Sequence, residues 1–231
     1  MHANLLNYFI QTSLSIKLTL LFLLSSSVIT WVIIVQRSLL LRQLGKAYTQ
    51  FENQFWSGIR LTELYDALPE SIPEEHLSSI FHAGFTEFCR LRNSGCQTLS
   101  VILDAVSRAM RIAQAQAEVS LERHLNWLSI IGSSAPYFGL LGTIFGVMSA
   151  LNALGNAGQV NAWLLIAPGV ADALIVTVVS LVTAIPAIMF YHRYLHQMEC
   201  LLNQYHIFQD EFIALLVRQA YEEHHENLPY A

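Results

Sequence analysis

Apolar residues gather in three long blocks separated by polar sequence. The first runs from Ile16 to Val35; at about 1.5 Å per residue a helix of roughly 20 residues matches a hydrocarbon core of about 30 Å. The second extends from Trp127 to Leu154 and the third from Leu164 to Tyr191. Both exceed the ~20 residues a bilayer requires, so tilt or projection beyond the membrane must absorb the excess. Between them lies Asn156-Ala157-Gly158-Gln159, with Gly155 beside it. A polar turn this short predicts an antiparallel helical hairpin.

The polar sequence keeps a helical period. Leu99, Ile102, Leu103, Val106 and Met110 recur at three- and four-residue intervals, as do Phe208, Phe212, Leu215 and Leu216. Pro69 and Pro73 interrupt an otherwise helical run and mark a turn. No stretch alternates as a strand would. The pattern predicts an all-α integral membrane protein with three transmembrane helices, in which spans two and three are long and extend into a cytoplasmic helical bundle.

Lys and Arg set the orientation. Of the twelve, Lys17 alone lies at the outer end of the first span and the hairpin turn carries none. The others lie between spans one and two or after span three, where Arg37, Arg42 and Lys46, Arg123, and Arg193 stand as cationic anchors. The N-terminus and the hairpin turn are therefore expected outside. The expected boundaries are 1–15 outside, 16–36 first span, 37–126 cytoplasmic, 127–154 second span, 155–163 outer loop, 164–191 third span and 192–231 cytoplasmic tail. A cleaved signal peptide is not expected, because Met1 to Gln11 holds no Lys or Arg and no small-x-small site follows Thr30.

Composition agrees with this division. At 54% hydrophobic, 13% charged and a mean hydropathy of +0.43, the 231-residue chain is too apolar for an ordinary soluble globule. A net charge of −5 gives no basic footprint, so no nucleic-acid partner is expected. Cys89, Cys96 and Cys200 match neither zinc nor redox spacing, and His192 and His196 lack a suitable third ligand, so neither metal nor cofactor is expected. No nucleophile-base pairing or phosphate loop appears either, which argues against an enzyme.

Two spans carry stripes of small residues. Gly132, Pro136, Gly139, Thr143, Gly146 and Ala150 fall within an arc of about 80° on span two, with Gly142 beside them. On span three Gly169, Ala173, Thr177, Ser180, Ala184 and Ala187 occupy a similar arc of about 80°, and Pro168 and Pro186 lie within the same helix. Such stripes let backbones approach in lipid, where packing rather than the hydrophobic effect drives helix association. Thr143 and Thr177 bring hydroxyls to mid-span, each able to satisfy itself on its own helix. Asp172 differs, because a carboxylate inside a span costs several kcal/mol unless it meets water, a partner or a proton. Its alternative is an interfacial carboxylate that reaches outer water. Asp172 and Thr177 stand about 140° apart around an ideal helix, so they do not share one axis without distortion. No second carboxylate lies near mid-membrane. Either the protein moves no protons, or a partner helix supplies the missing acid.

The runs Ala135-Pro136-Tyr137-Phe138-Gly139-Leu140-Leu141-Gly142-Thr143-Ile144-Phe145-Gly146 and Ile166-Ala167-Pro168-Gly169-Val170-Ala171-Asp172-Ala173-Leu174-Ile175, continuing to Pro186, resemble the two signature spans of the TolQ/ExbB/MotA proton-channel family. Phe55-Trp56-Ser57-Gly58-Ile59 and Ser107-Arg108-Ala109-Met110-Arg111 look closer to its TolQ branch than to its ExbB branch. The resemblance implies an inner-membrane stator: a homopentamer around the single spans of a TolR-like dimer, whose membrane aspartate takes up and releases protons. It implies coupling of proton entry to a TolA-like partner and the outer membrane during cell division. Thr143 and Thr177 match the family's pore threonines and Asp172 its membrane acid. The family usually has Glu at 172, Trp at 145 and Gly at 180, where this chain has Asp, Phe and Ser. The alternatives are an ExbB-like stator serving TonB-dependent uptake and a passive membrane scaffold.

Overall fold

In the computed structural model the described residues are 14–69, 71–95, 98–123, 125–155 and 162–226, with side chains at 162–165 and 222–226 excepted. They form six α-helices: α1 Leu14–Phe55, α2 Leu61–Asp66, α3 Leu77–Asn93, α4 Leu99–Glu122, α5 Leu125–Gly155 and α6 Ala162–Glu226. All the regular structure among the described residues is helical, as the periodicity predicts. Three of the helices are long and apolar enough to cross a membrane. Residues 1–13, Cys96 and residues 156–161, on which most of the expected outer segment and the expected hairpin turn fall, lie outside the described residues.

The chain divides into two compact units, Met1–Arg37 with His124–Tyr194, and Ser38–Arg123 with Leu195–Ala231. Helices α1 and α6 contribute to both. In the first unit α5 buries Leu128, Ile131, Gly132, Ala135, Gly139, Gly142, Gly146 and Ala150, a single face at three- and four-residue spacing. Helix α1 joins that face through Ile16 and Leu23, which cluster with Ala135, Val176 and Ala184, and Phe22 rests on Phe138 with ring centroids 4.4 Å apart. The buried tyrosine hydroxyl of Tyr194 donates to the carbonyl of Ile34 at 2.9 Å, joining α6 to α1. Arg37, expected as an interfacial anchor, is buried at 4% exposure. Most large apolar side chains of this unit point outward, among them Trp31, Tyr137, Leu140, Ile144 and Val182. That inversion suits a hydrocarbon solvent, in which outward Leu and Val cost nothing.

The second unit has an aromatic interior. Phe55 and Phe208 lie 4.9 Å apart between ring centroids, Phe51 and Phe81 5.5 Å, and Phe81 and Phe212 5.5 Å. Edge and tilted contacts of this kind add about 0.5–1.5 kcal/mol each beyond area burial. Helix α4 contributes Ile102, Val106, Met110, Ala113, Ala117 and Leu121, so the period read from the sequence marks its buried face. Gly84 is where α3 meets α4, since a methyl there would sit 2.6 Å from Cγ of Met110. Pro69 and Pro73 fall in the connection between α2 and α3. That connection is tied down at Glu75, whose carbonyl accepts from Tyr205 at 2.7 Å and whose carboxylate accepts from Ser120 at 2.5 Å.

Candidate functional site

The two small-residue stripes face one another inside a single hairpin. A methyl added at Gly132 would strike Ile188, at Gly142 it would strike Val176, and at Gly146 it would lie 2.6 Å from Cβ of Ala173 and 2.9 Å from the carbonyl oxygen of Gly169. At Gly139 it would overlap the Ser180 hydroxyl and lie 2.7 Å from Ser180 Cβ. Gly169 in turn has Ala150 Cβ at 2.9 Å from such a methyl. Real Cβ atoms do not approach so closely, so the glycines let α5 and α6 close on each other, backbone against backbone at Gly132, Gly146 and Gly169 and with α6 side chains in the notches at Gly139 and Gly142. Within this chain the two stripes pack against each other. The physical reason is proximity, because two spans joined by a short turn find each other before any third helix does.

These contacts fix the heights of the polar residues. Gly146 is level with Ala173 and Gly142 with Val176, so Thr143 and Thr177 lie at nearly the same depth on facing helices. Asp172 lies on the turn-facing side of both, by about 6–8 Å at 1.5 Å per residue. Thr143 Oγ1 donates to the carbonyl of Leu140 at 2.6 Å, and Thr177 Oγ1 donates to Ala173 at 3.2 Å. Each hydroxyl is satisfied on its own helix, and the structure does not join the two threonines to each other. Both are partly exposed, as is Asp172. Among the described residues no hydrogen bond or ion pair reaches the Asp172 carboxylate.

Apart from Ser180, already part of the span-three stripe, sequence reasoning missed a second set of hydroxyls. Thr19, Ser26 and Thr30 on α1 and Ser180 and Thr183 on α6 are buried, the last two at 1% and 2% exposure. Each donates to a carbonyl three or four residues earlier: Thr19 to Ser15, Ser26 to Phe22, Thr30 to Ser26, Ser180 to Thr177 and Thr183 to Val179. The signal was present as a three- and four-residue spacing of Ser and Thr with Ile16, Leu23 and Ile33 on one face of α1. Pro136, Pro168 and Pro186 all lie inside helices. A proline lacks the backbone donor, which leaves the carbonyls of Gly132 and Val182 without their helical partner on facing spans. No group of three or more His, Cys, Asp or Glu capable of holding a metal occurs among the described residues.

The chain with this small-residue hairpin belongs to the MotA/TolQ/ExbB proton channel family, whose pattern matches residues 73–207. The Tol-Pal system protein TolQ of Pseudomonas aeruginosa is 38% identical over 221 residues, covering 95% of this chain and 95% of that protein. TolQ of Haemophilus influenzae is likewise 38% identical, over 94% of this chain and 96% of its own length. The biopolymer transport protein ExbB of Pseudomonas putida is 27% identical over 77% of this chain and 52% of its own.

Proposed function

We propose that this chain is the TolQ-type stator subunit of a Tol-Pal system. Several copies, five on the family's pattern, surround the single spans of a TolR-like dimer in the inner membrane, with the N-terminus and hairpin turn periplasmic and the second unit cytoplasmic. A proton passes from the periplasmic side along Thr143 and Thr177 to the partner's membrane aspartate and on to the cytoplasm. Each proton descending the membrane potential supplies about 2.3 kcal/mol per 100 mV. That energy moves the TolR-like and TolA-like partners and maintains the outer membrane during division.

The observation that carries this reading is the near full-length likeness to two TolQ proteins, 38% identical with both chains covered almost end to end. The hairpin geometry supports it, since Thr143 and Thr177 share a depth and keep a partly open face while Asp172 stands unpaired toward the turn. An ExbB-type role is less favoured, because the ExbB match covers a smaller part of both chains.

The test replaces Asp172 by Asn, and Thr143 and Thr177 by Val, in cells whose own copy is deleted. The variants should assemble with the co-expressed TolR-like partner, by co-purification and native mass, yet fail to restore outer-membrane integrity. Full restoration by all three would reduce the chain to a passive scaffold. A purified protein that stays monomeric beside its partner would overturn the reading.

A further inference from the structure

The second unit leaves two helix faces uncovered, and both carry a seam. On α4 the positions 101, 105, 108, 112, 115 and 119 alternate steps of four and three, the spacing with which one helix packs along another. Val101, Ile112 and Val119 on it are 51%, 55% and 70% exposed. On α6 the positions 203, 207, 210, 214, 217 and 221 repeat the same alternation. There Ile207 is 48% and Tyr221 62% exposed. Each helix has already buried its other face in the aromatic interior, so these seams are additional to the fold.

Charge says what covers them. Midway along the α4 seam stands Arg108, and Arg111 flanks it; both are exposed. Midway along the α6 seam stands Asp210, and Glu211 flanks it; both are exposed. Among the described residues none of the four makes a hydrogen bond or ion pair within its own chain. Their heights agree as well. Within the chain α4 and α6 run antiparallel, because Gln209 bonds to Gln114, and Met110 and Phe212 both border Gly84. Carrying that register across the second unit sets Val101 level with Tyr221, Ile112 level with Asp210 and Arg111 level with Glu211, with Arg108 about one helical turn beyond Asp210 and within reach of it through its long side chain. Copies related by rotation about an axis parallel to these helices keep such heights without translation.

We infer that the α4 seam of one copy docks against the α6 seam of the next, with Arg108 and Arg111 meeting Asp210 and Glu211. The contact is head-to-tail, each copy offering α4 on one side and α6 on the other, the kind of interface that forms a ring where the rotation between copies closes. It rests on the proposed function for the existence of a ring, and adds the surfaces that hold it together. Apolar positions along each seam exclude water, and the charges fix register and reject a slipped or like-on-like pairing.

The test uses charge reversal in the full-length protein, purified with its TolR-like partner and weighed by native mass spectrometry across a dilution series. Arg108→Glu with Arg111→Glu, and separately Asp210→Arg with Glu211→Arg, should each raise the concentration for half-dissociation at least tenfold. All four changes in one chain should return it to within about threefold of the unaltered protein, which a merely misfolded variant does not do. An intact ring in both double variants overturns this inference and leaves the proposed function standing. Failure of the fourfold variant to reassemble, with its helical circular dichroism unchanged, overturns it equally. A lack of any ring in the unaltered protein sinks both.

Discussion

Replacing Gly139 by Ala forces one methyl group into the closest part of the hairpin. The added carbon overlaps the Ser180 hydroxyl and lies 2.7 Å from Ser180 Cβ, while the next neighbour, Cα of Thr177, is at an ordinary 3.6 Å. Rotating the hydroxyl away does not relieve the contact, because Cβ does not move with it. Overpacking a tight interface by one methyl costs about 1–3 kcal/mol. Removing the obstructing side chain with Ser180→Gly costs about 1 kcal/mol in helix propensity and about 0.5–1.5 kcal/mol for the hydroxyl's bond to Thr177. Taken together the two changes leave only the 3.6 Å contact, so the double variant is expected to be more stable than the sum predicts, by about 0.5–3 kcal/mol. Ser180→Ala retains the Cβ and should rescue Gly139→Ala less. The measurement is reversible unfolding in mild detergent titrated with dodecyl sulfate, followed by helical circular dichroism, for the single and double variants. Strict additivity would refute the facing of Gly139 and Ser180, and with it the register assigned to the whole hairpin.

Gly146→Ala should be costlier than Gly142→Ala in the same assay, because its methyl meets Ala173 Cβ at 2.6 Å and the Gly169 carbonyl at 2.9 Å, neither of which a side-chain rotation moves, whereas at Gly142 the fixed Val176 Cβ stands back at 3.1 Å; equal costs would contradict this. Tyr205→Phe removes the 2.7 Å bond to Glu75 and should lower stability by about 1 kcal/mol, with faster amide exchange confined to the α2–α3 connection. Exposed Cys200, with His196 Nε2 3.7 Å from its sulfur, should be alkylated before the half-buried Cys89, as mapped by mass spectrometry. Burial pushes the Cys89 thiol above its ordinary range, only partly offset by Arg92, so its alkylation should rise at higher pH than a free thiol's. The sign follows: a raised thiol pKa favours folding while the group is protonated, and that contribution fades as pH climbs through the shifted value.

The three spans and the helical character of the rest were legible because the hydrophobic period is set locally. Ile102, Val106, Met110, Phe208, Phe212 and Leu216 could be placed on buried faces by spacing alone, and they are buried. What each small-residue stripe touches was not legible. Gly139 and Gly146 announce a close approach, but the identity of the approaching helix depends on three-dimensional proximity that spacing does not encode. Arg37 shows the opposite failure. Its charge and position after an apolar block matched an interfacial anchor, and only the fold reveals that it is buried. The hydroxyls of Ser26, Thr30 and Thr183 were overlooked because Ser and Thr are neutral in a hydropathy pattern, although their helical spacing marked them as facing inward.

Every buried serine and threonine hydroxyl described in the first unit spends its hydrogen bond on its own helix. The contact between α5 and α6 is thus held by shape, with no directional bond among these groups to snap when one helix shifts against the other. The register of the hairpin therefore rests on how Ile188, Ser180, Val176 and Ala173 fill the notches left by Gly132, Gly139, Gly142 and Gly146, much as the teeth of a rack hold position without glue.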